Sequence, residues 1–166
     1  MKITTIASKS YTTHIPMLIK VLGITSGPVL ELGGGLFSTP LLHWLCAESR
    51  RPLETYENYP QYFKFAKYFQ SRNHKVNFVE DWNKLNPKGY FSVVFIDHGP
   101  AKQREIDAIK LKNQADYIIL HDSQVPEEYG YDKVWQHFKY RYDWNFCTPW
   151  TSVISNFKDL ANFKNE

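Results

Sequence analysis

The stretch Val29-Leu30-Glu31-Leu32-Gly33-Gly34-Gly35-Leu36-Phe37-Ser38-Thr39-Pro40 constrains this chain more than any other. Residues 29–32 are apolar apart from Glu31 and short enough for a buried strand. Three glycines follow. Ser38, Thr39 and Pro40 then read as a helix start, a hydroxyl N-cap with proline near the first helical position. Strand, glycine turn and helix together aim backbone N–H groups and a helix N-terminus at one point, where a ligand can be held. Glycine suits the turn because it tolerates positive φ and lets a ligand approach the main chain.

The rest of the chain repeats the strand-helix alternation. Residues 14–23 read as a short helix, with Pro16 in its first turn and Gly23 at its end. A helix over 39–49 carries Leu41, Leu42, Leu45 and Cys46 at helical spacing. Strands are predicted at 53–57, 75–79, 90–96 and 116–120. Helices are predicted at 60–72, with a largely aromatic stripe of Tyr62, Phe65, Ala66 and Phe69 read as core, and at 102–112, with Ile106 and Ile109 inward. After a loop, a helix over 132–140 and a strand pair at 144–147 and 150–155 close the chain. Such alternation means parallel strands joined by right-handed crossovers. The expected fold is an α/β three-layer Rossmann-like sandwich, a mostly parallel seven-stranded sheet with an antiparallel C-terminal hairpin strand. Ligands in these sheets bind beyond the carboxyl ends of the strands.

Composition narrows the class. At 166 residues, 43% hydrophobic and 16% aromatic, the chain suits one folded domain over 1–166. Within it, residues 1–13 read as an arm and 123–131 as a lid loop. A net charge of +3, from scattered lysines, argues against nucleic acid as the partner. No apolar run nears the ~20 residues of a membrane span. Cys46 and Cys147 form no metal-type pair and read as reduced, which with the absence of a signal-type leader points to the cytoplasm.

Three ligand readings compete for the glycine turn. A phosphate-binding P-loop needs Gly-Lys-Ser/Thr, and Leu36-Phe37-Ser38 has no lysine. A dinucleotide fingerprint lacks its third glycine, since Ser38 stands there. The turn Glu31-x-Gly33-x-Gly35 resembles the cofactor turn of class I S-adenosylmethionine-dependent methyltransferases, and the resemblance extends over about residues 14–156. It implies that Glu31, Gly33, Gly34, Gly35, Ser38 and Thr39 cradle the cofactor, with Ser38 and Thr39 also capping the helix. It implies that Glu57, 24 positions after Gly33, holds the ribose hydroxyls. Asp81, with Trp82 beside it, would meet the adenine, and Asp97 would close the cofactor site. The terminal hairpin matches the strand that separates these enzymes from nicotinamide folds. Two alternatives stand beside it: an NAD(P)-binding oxidoreductase, and a non-catalytic nucleic-acid or partner-binding module of the same fold.

The chemistry is expected at the ends of the fourth and fifth strands, where Asp97-His98 and His121-Asp122 stand as two dyads. In one reading His98 or His121 is a general base oriented by a carboxylate. In the other, Asp97, His121 and Asp122 bind Mg²⁺ or Mn²⁺, which lowers the pKa of a substrate hydroxyl. The dyads also resemble those of sugar and glycan O-methyltransferases. Arg104 reads as a surface ion-pair residue rather than a substrate anchor. With little chain beyond the core, the expected acceptor is a small-molecule or glycan-type polar compound, methylated through oxygen, on a monomer or homodimer.

Overall fold

The computed structural model describes residues 8–164. Among them, seven strands form one sheet in the order β3-β2-β1-β4-β5-β7-β6. These are β1 (Val29–Leu32), β2 (Leu53–Glu57), β3 (His74–Phe78), β4 (Phe91–Ile96), β5 (Ala115–His121), β6 (Tyr140–Trp144) and β7 (Thr151–Ser155). Strands β1 to β5 run parallel, and β7 inserts antiparallel between β5 and β6. The chain thus has the expected Rossmann-like α/β fold. Every residue of β1 and β4 is buried, as expected for central strands covered on both faces.

Side chains alternating along each strand feed two apolar clusters, one per face. On one face Val29, Val93, Phe95 and Ile119 pack against α1 (Ile15–Gly23) and α2 (Ser38–Glu48). On the other, Leu30, Val94 and Ile118 pack against α4 (Gln103–Leu111) and the short α6 (Tyr131–Val134). Two further helices, α3 (Pro60–Ala66) and α5 (Pro126–Tyr129), lie between β2 and β3 and before α6.

Several expectations are corrected. Helix α3 ends at Ala66 and continues as a 3₁₀ turn over Lys67–Phe69. Only Ala66 of its supposed core stripe is buried, and Tyr62 turns to a cavity instead. His74, expected in a turn, is the first residue of β3 and is buried. In α4, Ile106 is half exposed, while Arg104 and Asp107 face inward. The helix is rotated because these two charged side chains have partners beneath it. The last hairpin begins at Tyr140, and Phe146 lies in its loop, 76% exposed. Of the N-terminal arm, residues 1–7 lie outside the described residues. Lys9–Thr12 form a 3₁₀ turn, and the Thr13 hydroxyl lies 2.8 Å from His121 Nε2.

Candidate functional site

A cavity of about 520 Å³ opens beyond the carboxyl ends of β1, β2, β4 and β5, within the usual range of small-ligand sites. The glycine turn forms its floor. Gly33 holds φ +101°, and its N–H donates to the Tyr56 carbonyl at 2.8 Å. A Cβ at Gly33 would lie 2.6 Å from the Asp97 carbonyl carbon and the His98 nitrogen. Only glycine lets β1 and β4 approach this closely at their ends. At Gly35 a Cβ would come within 2.9 Å of Ser38 Oγ, and Ser38 also lines the cavity.

Glu57 stands across the floor at the end of β2. It is 4% exposed and accepts the Tyr59 N–H. Burial raises its carboxyl above the ordinary range, and backbone N–H groups of Tyr59, Gly34 and Asn58 pull it back. Tyr11, Phe37, Tyr59 and Tyr62 give this end aromatic walls.

The other end is polar and charged. Arg104 is 7% exposed and paired with two carboxylates: Nε donates to the His98 carbonyl at 2.7 Å, Nη2 to Asp97 Oδ1 at 2.9 Å, and Nη1 to Asp122 Oδ2 at 3.0 Å. Asp122 reaches this position from a left-handed backbone, φ 60°, which aspartate tolerates better than most residues. Burial pushes the Asp97 carboxyl up, but Arg104 and His121 outweigh it and hold it at about 2. His121 lies 3.3 Å from Asp97 through Nδ1. Burial lowers the His121 pKa, yet Asp97 and Asp122 together leave it raised. His14, at the N-cap of α1, packs its ring 4.9 Å from those of Phe95 and His121. It is 2% exposed, burial lowers its pKa to about 4, and neither ring nitrogen has a partner.

The cavity therefore brings together Gly33, Gly34, Gly35, Ser38, Glu57, Asp97, His98, His121 and Asp122 of the sequence-predicted set. It leaves out four. Glu31 and Thr39 are fully buried beneath the turn. The Thr39 hydroxyl donates to Glu31 at 2.9 Å and accepts the Gly35 N–H at 3.0 Å, so both residues hold the turn from below. Thr39 and Ser38 are helical residues, and the N-cap is Phe37. Asp81 caps the 3₁₀ turn Trp82–Lys84 by accepting the Asn83 N–H at 3.0 Å. Trp82 is buried against His98, ring centroids 4.0 Å apart. The His98 ring is thereby directed into the packing, with Nε2 3.0 Å from Asp107, a poor position for the base the sequence reading made it. His14 and Arg104 are the residues that reading underrated. The available signal was a histidine at the N-cap of an apolar helix, a position where it caps nothing.

No protein-family model and no curated protein matches this chain. Solved structures do. A methyltransferase from Pyrococcus furiosus superposes with TM-score 0.62 at 14% identity, covering 95% of this chain and 88% of that one. The N-terminal domain of human METTL16 in complex with SAH gives 0.61 at 14%, covering 93% and 73%. An O-methyltransferase from Bacillus cereus in complex with SAH gives 0.60 at 16%, covering 92% and 83%. The fold is that of the class I, S-adenosylmethionine-dependent methyltransferases. The antiparallel β7 between β5 and β6 is part of that likeness.

Proposed function

We propose that this protein is an S-adenosylmethionine-dependent methyltransferase that acts on a small polar acceptor, most readily through oxygen. One observation carries the reading: a single cavity has a buried carboxylate, Glu57, facing a side-chain-free glycine floor at one end and the Asp97–Arg104–Asp122 array with two imidazoles at the other. The residues fit the cofactor. Gly33 has no side chain where a Cβ would collide with the Asp97–His98 backbone, Gly35 leaves main chain bare beside Ser38, and Glu57 has the acceptor oxygens a ribose requires. Bound there, S-adenosylmethionine supplies an electrophilic methyl group for in-line transfer.

The chain's own residues bind and orient. Arg104 fixes Asp97 and Asp122 in place, so neither carboxylate must reorganise when an acceptor enters. Tyr11 and Tyr59 stand partly exposed at the cavity wall, and the residues from Val125 to Tyr131 pack beside Arg104, where Tyr129 lies 4.6 Å from the guanidinium. These segments are placed to exclude water. Such alignment is worth ~7–11 kcal/mol in general. The pairing of Arg104 with two carboxylates favours a neutral hydroxyl acceptor over an acidic one, because its charge is already met by Asp97 and Asp122.

Calorimetric titration with S-adenosylhomocysteine tests the reading. Saturable binding that Glu57→Ala weakens about 100-fold is expected, followed by methyl transfer to hydroxyl compounds in an acceptor panel. Binding of NAD in place of S-adenosylhomocysteine would overturn it. Methyl transfer to polynucleotide alone would leave the enzyme class and replace the acceptor. Among the described residues no helix is long and apolar enough to cross a membrane.

A further inference from the structure

We propose that His14, Asp97 and His121 form a binding site for a divalent transition ion of the zinc class at the acceptor end of the cavity. The donor atoms of the three side chains lie within 4.8 Å of one another. Two are imidazoles, which favour zinc-like ions over the oxygen-seeking Mg²⁺.

The spacing at Asp97 suits an ion. His121 Nδ1 lies 3.3 Å from Asp97 Oδ2, while the Thr13 hydroxyl stands 2.8 Å from the ring's other nitrogen, Nε2. Neighbouring ligands around an ion with bonds of ~2.0–2.1 Å in tetrahedral geometry lie about 3.3–3.4 Å apart.

His14 supplies the independent second observation. Its ring is buried, lines the cavity, and leaves both nitrogens without a partner. An unmade hydrogen bond of this kind is costly, so the chain holds a donor atom ready for something it does not itself contain. The remaining shell is in place. Thr13 orients His121 through its far nitrogen, as outer partners do for metal-bound histidine. Arg104 occupies Asp97 Oδ1 and leaves Oδ2 to ligate. Three protein ligands on a cavity wall leave a coordination position for an oxygen from the cavity side. The set differs from the Asp97, His121 and Asp122 trio of the sequence reading: Asp122 is turned onto Arg104, and His14 from α1 takes its place.

The use we give the ion, polarising an acceptor hydroxyl so that it loses its proton more readily, rests on the methyltransferase reading. Ion binding itself does not. The full chain, stripped with chelator, is titrated calorimetrically with Zn²⁺ and with Mg²⁺, and zinc-soaked crystals are read by anomalous scattering. The expected result is one saturable Zn²⁺ per chain, Mg²⁺ at least tenfold weaker, and an anomalous peak between the three side chains. His14→Gln, shown to unfold cooperatively, should bind Zn²⁺ at least tenfold more weakly. Absence of saturable Zn²⁺ binding, a peak elsewhere, equal Mg²⁺ affinity, or a His14→Gln loss below tenfold would each overturn the site. If that variant does not fold, the peak position and ion preference of the wild-type chain decide. S-adenosylhomocysteine is titrated separately, so failure of cofactor binding with retained Zn²⁺ binding sinks the enzyme reading and not the site.

Discussion

Two buried polar networks flank the end of β1, and they are built on opposite principles. Beneath the glycine turn, each group is matched. Thr55 donates to Glu31 at 2.6 Å, its oxygen lies 2.8 Å from His74 Nε2, and His74 Nδ1 lies 3.2 Å from His43 Nδ1. Thr39 joins Glu31 to the Gly35 N–H. None of Glu31, Thr39, Thr55 or His74 has a buried side-chain atom without a partner. Across Gly33, the Asp97 network leaves both ring nitrogens of the buried His14 unpartnered. A satisfied network stabilises and specifies, whereas orphaned buried atoms mark where something else is meant to bind. Along the chain, the acids of both networks carry equal chemical weight. Only their partners separate the supporting carboxylate, Glu31, from those that face the cavity.

The largest test of this contrast is at the glycine between the networks. Gly33→Ala combines positive-φ strain with a collision against the Asp97 backbone. It should cost more than about 4 kcal/mol in urea unfolding, from strain and overpacking together. A cost below about 1 kcal/mol would show that the two networks are not locked in register there.

Next comes the pH dependence of the satisfied network. Burial raises the Glu31 carboxyl from 4.5 to about 7, against hydrogen bonds from Thr55, Ser38 and Thr39 that lower it. Between these values the folded chain holds more protons than the unfolded one. Its stabilising contribution is complete below pH 4.5 and is lost as pH rises through about 7. At about 1.4 kcal/mol per unit, wild-type stability minus that of Glu31→Gln should fall by roughly 3 kcal/mol across this window. The subtraction removes His74, which burial and then His43 hold down at about 4 and whose dependence has the opposite sign. A flat difference would mean that Glu31 ionises normally and that the matched network carries a settled charge.

The cavity carboxylate should behave otherwise. Glu57→Ala should weaken S-adenosylhomocysteine about 100-fold in calorimetry, equivalent to ~2.7 kcal/mol, with a much smaller change in urea stability. A loss of stability as large as the loss of affinity would move Glu57 into the supporting class with Glu31. The smallest effect sharpens the contrast most. His14→Phe keeps the ring packed near Phe95 and removes the two orphaned nitrogens, so stability should rise by about 1 kcal/mol. Destabilisation on thermal unfolding would show that His14 has a structural partner.

The amino-acid sequence by itself determined the sheet and its cavity floor. Apolar runs at 29–32 and 91–96, punctuated by glycine and proline, are local signals, and local signals survive translation into structure. Glu57 stood out through the family resemblance, on a strand end that the sequence pattern located. What only the tertiary structure decided is where each polar side chain finds its partner. The inward turn of Arg104 and Asp107, the retreat of His98 against Trp82, and the meeting of His14 with His121 across more than 100 residues depend on helix rotation and strand register. Hydrophobic periodicity specifies which face of an element is buried on average. It carries no information about which charged groups, far apart in the chain, meet in the same small volume once that face is packed.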